Sequence, residues 1–399
     1  MTVRGTKKIT EDIFWIGASD RRLSRFENIF PIPEGVSYNS YFVDDEKTVV
    51  FDTADISVSD QYIENLKEVL GDKKLDYLVV LHMEPDHCSL IDTVAALYPD
   101  VTVVGNSKTF TFMEQFFPSA AGFKKLEVKE GDTLSTGKHT FHFVAAPMVH
   151  WPEVLLAYDD ASKALFSADA FGTFGALDGG IFADEYDYEK DFLDSSRRYY
   201  ANIVGKYGMQ VQAALKKAAG LDIQMILSLH GPVWRKNIGW LLEKYEKWST
   251  YTPETEEIAL VYGSLYGHTK SAAEAVASGL REKGKTVKVH DVSGTDVSYL
   301  IGEVWRCKTI VLICPTYNGG VYPPMEAFLN DMIALGVQNR TFALGQNGTW
   351  APMTVKLMTD KLSALKNVTI LENTLTIKSA LHSADQGQVD AFVDSIAKA

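Results

Sequence analysis

Apolar and polar positions follow two different patterns on either side of residue 250. Before it, short apolar runs typical of strands recur without regular spacing, as in TVVFDTAD (48–55), LDYLVVLH (75–82) and QMILSLHG (224–231). After it, such runs alternate with stretches whose apolar residues recur at helical spacing. The second part therefore predicts a doubly wound parallel sheet of five strands, whereas the first predicts a mixed α/β fold without that regularity.

A polar segment separates the two parts. STYTPETEE (249–257) holds one proline and lies between a helical stretch, IGWLLEKYEKW (238–248), and a strand-like run, IALVYGS (258–264). Segments of this composition are typical of linkers. We therefore expect a first domain over 1–250, a linker over 251–256 and a second domain over 257–399.

Composition narrows the classes of function. The 399 residues are 46% hydrophobic and 23% charged, which is typical of a soluble globular protein. The net charge of −13 disfavours binding to nucleic acid or to an anionic membrane, and no run is long enough to span a bilayer. The N-terminus lacks the apolar core of a signal peptide, and three scattered cysteines predict a reduced, cytoplasmic protein without an iron–sulfur or rubredoxin-type centre.

One loop concentrates ionisable side chains at the end of a predicted strand. HMEPDHCSL (82–90) places two histidines and two carboxylates within six positions: His82, Glu84, Asp86 and His87. In an extended chain alternate side chains share a face, so the first three could point the same way. Asp86 could instead cap the helix that follows, but four ligand-type side chains together favour a metal site.

Three more candidate ligands follow other apolar runs: His150, Asp169 and His230. Each alone could be a turn residue. Together with the first loop they suit two metal ions that share one carboxylate, because a bridging carboxylate lowers the repulsion between adjacent cations. Asp52 is a candidate for accepting the free N–H of a ligating imidazole. The remaining histidines are expected at the surface or in packing, except for His268, discussed below.

The order His-x-Glu-x-Asp-His, His, Asp, His resembles that of the metallo-β-lactamase superfamily, whose fold is an αββα sandwich with a dinuclear site. Glu84 stands where the hydrolases of that superfamily usually have histidine, and this carboxylate suits iron better than zinc. Glutamate at this position is the mark of the flavodiiron proteins, which the chain resembles over essentially its whole length. The resemblance implies that one iron is held by His82, Glu84 and His150, the other by Asp86, His87 and His230, with Asp169 between them.

Three loops at strand ends of the second domain suggest a flavin. GSLYGHTK (263–270) is neither a Walker loop nor a dinucleotide-binding GxGxxG motif, and alone it could be a plain βα turn. CPTYNGGVYPP (314–324) and GQNGTWAPM (345–353) add glycine-rich, aromatic loops at the sheet edge where doubly wound folds bind ligands. The trio resembles flavodoxin. That resemblance implies FMN phosphate on Ser264, Tyr266, His268 and Thr269, and the flavin ring among Pro315, Thr316, Tyr317, Asn318, Gly319, Asn347, Gly348, Thr349 and Trp350.

The flavodiiron resemblance implies an oxidoreductase that reduces dioxygen to water, nitric oxide to nitrous oxide, or both. Electrons would pass from an external donor, such as rubredoxin or a reduced deazaflavin, through FMN to the non-haem diiron site. We expect a separate donor because the chain ends soon after the flavodoxin-like domain. The resemblance also implies a head-to-tail homodimer or a dimer of dimers.

Two alternatives come from other classes. One is a dinuclear zinc hydrolase with an accessory flavodoxin-like domain, because fold alone does not determine function. The other is an electron carrier whose metal site is purely structural. Glu84 speaks against the hydrolase, and complete ligand sets with an open position on each metal are not needed in a carrier.

Overall fold

The computed structural model describes residues 5–399 and divides them into two compact units. The first unit ends at Tyr200 and resumes over Met209–Glu246, and the second contains Ala201–Gly208 and Lys247–Ala399. Within residues 5–399, no helix combines the length and the apolar character needed to cross a membrane.

The first unit is built from short strands. They are β1 (Lys7–Lys8), β2 (Ile13–Trp15), β3 (Ala18–Asp20), β4 (Arg25–Phe26), β5 (Phe30–Pro31), β6 (Val36–Tyr38), β7 (Tyr41–Val43), β8 (Val49–Phe51), β9 (Tyr77–Val79), β10 (Thr102–Gly105), β11 (Lys124–Glu127), β12 (Thr133–Ser135), β13 (Thr140–Ala145), β14 (Leu155–Asp159), β15 (Ala164–Phe166) and β16 (Met225–Leu227). The α-helices up to Ser249, the last of which crosses the boundary at Glu246, are α1 (Ser59–Leu70), α2 (Pro85–Cys88), α3 (Ile91–Leu97), α4 (Ser107–Phe116), α5 (Tyr188–Asp191), α6 (Leu193–Tyr199), α7 (Gly208–Ala218) and α8 (Ile238–Ser249).

Two sheets of the first unit pack face to face. One has the order β1-β2-β7-β8-β9-β10-β11 and the other β12-β13-β14-β15-β16. The ring of Phe51 stacks on Phe166 with centroids 4.0 Å apart and meets Phe141 edge-on at 5.0 Å, so aromatic side chains from both sheets fill the core between them. The predicted αββα sandwich is confirmed.

Parallel pairing brings the candidate ligands to one edge of each sheet. Strands β8, β9 and β10 run parallel in the first sheet, and β15 runs parallel to β16 in the second. His82, Asp169 and His230 each lie three residues beyond the last residue of β9, β15 and β16, respectively. Because parallel strands end at a common edge, the side chains that follow them meet there.

The second unit is a doubly wound sheet, as predicted. Its elements are β17 (Thr255–Tyr262), α9 (His268–Glu282), β18 (Val287–Asp291), α10 (Val297–Arg306), β19 (Cys307–Tyr317), β20 (Gly320–Val321), α11 (Pro323–Ala334), β21 (Thr341–Asn347), α12 (Thr354–Leu362), β22 (Thr369–Ile370), β23 (Leu375–Ile377) and α13 (Gln386–Lys398). The parallel strand order β18-β17-β19-β21-β22 is that of the flavodoxin-like folds.

Among the differences from the sequence expectation, two concern strands β17 and β23. Strand β17 begins at Thr255, which pairs with Cys307, so the last two residues of the expected linker 251–256 belong to the sheet. A further short strand, β23, runs parallel to the end of β21. It was not predicted because its three residues are too few to form a distinct apolar run.

Candidate metal centre and flavin pocket

The loop after β9 changes direction at a proline. Asp52 fixes its start, because one carboxylate oxygen accepts the backbone N–H groups of Leu81 at 2.8 Å and of His82 at 3.1 Å. Pro85 then begins the single helical turn of α2, for which its fixed φ is suited. The simple alternation expected for His82, Glu84 and Asp86 therefore stops at Glu84, and the turn carries Asp86 to a second group of ligands.

The first group brings together His82, Glu84, His150 and Asp169. Oε2 of Glu84 lies 2.9 Å from Nε2 of His150 and 3.3 Å from Nε2 of His82. Oδ2 of Asp169 lies 3.3 Å and 3.5 Å from the same two nitrogens. Two imidazoles and two carboxylates thus converge on one point.

The second group brings together Asp86, His87 and His230. The Nε2 atoms of His87 and His230 lie 3.0 Å apart. Oδ2 of Asp86 lies 3.4 Å from Nε2 of His87 and 3.2 Å from Nε2 of His230. The other oxygen of Asp169, Oδ1, lies 3.0 Å from Nε2 of His87 and 3.7 Å from Nε2 of His230. Asp169 therefore turns one oxygen towards each group.

The residues fit a pair of metal ions. Metal–ligand bonds of about 2.1 Å at right angles place two ligand atoms about 3 Å apart, which is the spacing found in both groups. Both oxygens of Asp86 and both of Asp169 are buried without a hydrogen-bond partner among residues 5–399, a costly state that a bound cation would relieve. His82, His87, Asp169 and His230 are fully buried, whereas Glu84, Asp86 and His150 are 8–9% exposed and mark the open side.

The charges of the cluster favour a cation. Burial alone would raise the pKa of Asp169, but the neighbouring His87 and His82 hold it well below its usual value. Burial would lower the pKa of His150, but its contacts with Asp169 and Glu84 raise it to about 9. The cluster thus attracts positive charge strongly enough to hold protons on imidazoles, and metal ions would replace those protons.

The outer nitrogens of the imidazoles meet different partners. Nδ1 of His230 donates to the carbonyl oxygen of Ser37 at 2.8 Å, and Nδ1 of His82 lies 2.8 Å from the carboxylate of Glu153. Asp52, predicted for such a contact, makes its hydrogen bonds to backbone N–H groups. Burial raises the pKa of Asp52 to about 7, and the nearby His87 acts in the opposite direction. Glu153 is not identified from the sequence, because a single carboxylate in the turn after His150 gives no sign of the strand end against which it packs.

A second site lies at the carboxyl edge of the parallel sheet in the second unit. A cavity of about 500 Å³ opens there among the three predicted loops. Twelve of the thirteen predicted flavin-contacting residues line it, all except Tyr317. Tyr317 closes β19, where Thr316 turns inwards towards Thr354 and alternation directs Tyr317 to the other side, near Tyr322.

The cavity fits a phosphorylated flavin. Helix α9 begins beside it at His268, and no side chain of residues 5–399 caps that N-terminus, so its backbone N–H groups are available to a phosphate. Tyr266 and Trp350 stand at the rim with 91% and 81% of their surface exposed, and a flat aromatic ring would cover them. Four lining residues were not predicted: Leu265, Ala351, Met353 and Ser379. Ser379 follows the unpredicted strand β23, which explains its omission.

Both units match known protein families. Residues 36–231 match the family described as ODP family beta lactamase, and residues 260–391 match the flavodoxin family. The two matches correspond to the two units of the structure and to the two candidate sites.

Relatives over the whole chain carry oxidoreductase names. A nitric oxide reductase of Moorella thermoacetica is 30% identical over 374 residues, which cover 93% of this chain and 92% of the relative. The structure of rubredoxin oxygen:oxidoreductase from Desulfovibrio gigas is 27% identical, covers 98% of each chain and superposes with a TM-score of 0.92. The flavodiiron protein of Giardia intestinalis is 26% identical, covers 98% of this chain and 96% of that one, and has a TM-score of 0.92.

Proposed function

We propose a function from one premise: this chain belongs to the flavodiiron proteins, as its paired domains and its full-length relatives establish. It is an oxidoreductase, and its cofactors are a diiron centre and FMN. The zinc hydrolase and the structural-metal carrier find no support among these relatives. We assign it the reduction of dioxygen to water, of nitric oxide to nitrous oxide, or both.

One observation carries the proposal: Asp169 directs its two oxygens to two separate groups of ligands. We assign His82, Glu84 and His150 to one iron, Asp86, His87 and His230 to the other, and Asp169 to the bridge. Each iron then has two imidazoles and one carboxylate of its own. This nitrogen–oxygen set without cysteine suits iron, and Glu84 makes it more anionic than a set with a third histidine.

When bound, two ferrous ions and a reduced FMN supply the four electrons that convert one dioxygen to two waters, or two electrons for each pair of nitric oxide molecules joined as nitrous oxide. The surrounding side chains keep water away from one flank of the site. The rings of Phe26, Tyr199 and Tyr38 lie 5.3, 5.6 and 5.8 Å from that of His230. A small gas can therefore approach at the open side, beside Glu84, Asp86 and His150.

Electrons come from outside the chain in this proposal. Tyr266 and Trp350 at the rim of the flavin cavity are largely exposed, so the cavity lies at the surface. This position suits electron transfer from a donor protein. The name of the Desulfovibrio gigas relative supports rubredoxin as that donor, and a reduced deazaflavin is the alternative. We further propose a homodimer in which the flavin of one subunit serves the irons of the other.

The test is cofactor content followed by turnover. Protein purified from iron-supplemented cells should hold two irons and one FMN per chain. The protein is then mixed anaerobically with chemically reduced rubredoxin, and a measured amount of dioxygen or nitric oxide is added. The rate of electron consumption with each gas shows which gas is preferred. Protein reloaded with zinc is the matched control and should reduce neither gas to its full product. Zinc in both sites despite ample iron would contradict the assignment.

A further inference from the structure

A buried carboxylate that is not a ligand touches only one of the two metal groups. Glu153 is fully buried. Its Oε1 lies 2.8 Å from Nδ1 of His82 and accepts the backbone N–H of Met83 at 2.9 Å. A carboxylate can only accept, so Nδ1 of His82 carries the proton and Nε2 keeps its lone pair for the metal.

The carboxylate is held in place independently of any metal. The side-chain amide of Asn106 donates to the backbone oxygen of Glu153 at 2.5 Å. The amide oxygen of Asn106 caps helix α4 by accepting the N–H groups of Lys108 and Thr109. Glu153 is therefore anchored on the start of a helix, and this anchor positions the ring of His82 in turn.

Among residues 5–399, no carboxylate is hydrogen-bonded to Nδ1 of either imidazole in the second group. Nδ1 of His230 donates to a neutral carbonyl, that of Ser37, and Nδ1 of His87 has no hydrogen-bond partner among residues 5–399. The ligands themselves are matched, since each group has two imidazoles, one carboxylate and a share of Asp169. The contact with Glu153 is thus a difference between otherwise similar sites.

We propose that Glu153 is a positioning residue that makes the two irons unequal. A carboxylate on Nδ1 increases the basicity of the imidazole, and a more basic ligand stabilises the more highly charged ion. The iron held by His82, Glu84 and His150 is therefore oxidised before the iron held by Asp86, His87 and His230. This inference rests on the proposed function, because it presupposes that both groups hold iron.

The experiment is a redox titration of the iron-loaded, FMN-containing protein, followed by Mössbauer and electron paramagnetic resonance spectroscopy. One equivalent of ferricyanide takes one electron from the diferrous centre and becomes ferrocyanide. In wild-type protein the product should be a large population of the ferrous–ferric state with one well-defined ferric site. Glu153→Gln keeps an oxygen that can accept both N–H groups but removes the charge. It should raise the potential of the first oxidation, lower the mixed-valence population and change the ferric Mössbauer signal.

Asp159→Asn is the matched control. Asp159 is equally buried and also contacts an imidazole, with its Oδ2 2.8 Å from Nδ1 of His139, but His139 belongs to neither metal group. Asp159→Asn should leave the mixed-valence population closer to wild type than Glu153→Gln does. Equal effects of the two variants, or an unchanged first potential in Glu153→Gln with two irons bound, would overturn the inference.

Two measurements remain decisive if Glu153→Gln is unstable. In Glu153→Leu, which cannot accept the hydrogen bond from Nδ1 of His82, one of two metal ions should bind about 10- to 100-fold more weakly in a chelator competition. In zinc-loaded wild-type protein, nitrogen-15 spectra of labelled histidine should show one Nδ1–H proton far downfield of the others. Equal metal affinities or equivalent N–H signals would count against Glu153. Wild-type protein that binds no iron would refute the proposed function instead.

Discussion

At the scale of single residues, only some of the side chains that form the site can be recognised from the sequence. The seven side chains brought together in the two groups are those singled out from strand-end positions, because metal ligands are ionisable residues in an otherwise apolar setting. Glu153 and the contacts of Asp52 could not be predicted in this way. Their roles depend on which loop folds against which strand, and a single carboxylate in a turn gives no such information.

The first prediction concerns Asp169. Changing Asp169→Ala removes the anion shared by both groups, so the two cations would face each other without a carboxylate between them and the site should lose or misplace at least one iron. The flavin domain has its own core and should keep FMN. The variant should therefore reduce dioxygen slowly through the flavin and release hydrogen peroxide. Oxygen consumed and peroxide formed per donor electron measure this change.

Asp169→Asn provides the control, because it preserves shape and one oxygen ligand. Its iron content should lie between those of wild type and Asp169→Ala. Water as the product of Asp169→Ala at the wild-type rate would mean that oxygen is reduced away from this centre.

At the scale of elements, regular alternation made the second unit predictable and short strands made the first one harder. The βα repeats of the second unit could be predicted within a few residues because most strands lie in a clear apolar run and are followed by a helix of several turns, although β22 itself holds only two residues. In the first unit, strands such as β4 and β5 hold only two residues each, and their existence depends on partners distant in sequence. The turn of α2, which divides the ligands between two groups, is likewise too short to give a periodic signal.

A buried arginine joins several elements of the second unit. The guanidinium of Arg340 donates to the carbonyls of Val304 and Trp305 at the end of α10 and to that of Tyr251 before β17. Burial lowers the pKa of Arg340 to about 10, so it stays charged at neutral pH beside the negative end of the helix dipole.

We predict that Arg340→Met destabilises the second unit, because it leaves buried carbonyls unsatisfied at about 1–3 kcal/mol each. Urea unfolding followed by the fluorescence of released FMN would measure the loss. Arg340→Lys should be intermediate, since one ammonium cannot reproduce the planar fork. An unchanged midpoint in Arg340→Met would show that the network contributes nothing net.

A histidine in the first unit should make stability depend on pH. Nδ1 of His139 lies 2.8 Å from Asp159 and Nε2 lies 3.1 Å from Asp12, which joins β13 and β14 to the segment before β2. Burial lowers the pKa of His139, but the two carboxylates outweigh it and raise that pKa above its usual value. Lys138 forms an ion pair with Asp12, and Asp45 accepts the backbone N–H of His139.

The sign follows from the raised pKa. The contribution of protonated His139 is complete below the unfolded pKa of about 6.5 and is lost as pH rises through the folded pKa. His139→Gln should therefore destabilise the first unit by about 1–2 kcal/mol at pH 6 and by less at pH 9. His142→Gln, at an exposed pair with Asp160, is the control and should change little. A larger loss at pH 9 than at pH 6 would contradict this account.

At the scale of the whole molecule, two units with separate cores each carry one complete site. The metal ligands all belong to the first unit and the residues of the flavin cavity all belong to the second. Each site can therefore be disabled without unfolding the other. This separation follows from the sequence, because each set of loops follows the strands of its own sheet.

The separation of the sites permits a test of the proposed dimer. Asp169→Ala disables the metal centre, and Ser264→Glu should exclude FMN by placing a carboxylate where the phosphate is expected. Each variant alone should be nearly inactive as a gas reductase, and iron and FMN contents would verify which cofactor each has lost.

If electrons cross between subunits, a mixed dimer contains one intact flavin that faces one intact metal centre. The two chains carry different tags and are co-expressed, and the mixed dimer is purified through both tags. The subunits therefore need not be unfolded and reassembled. Such dimers should regain turnover clearly above that of either parent. A mixture of the two separately purified variants, whose subunits do not exchange, is the control and should stay inactive. Mixed dimers as inactive as their parents would mean that each flavin serves the irons of its own chain.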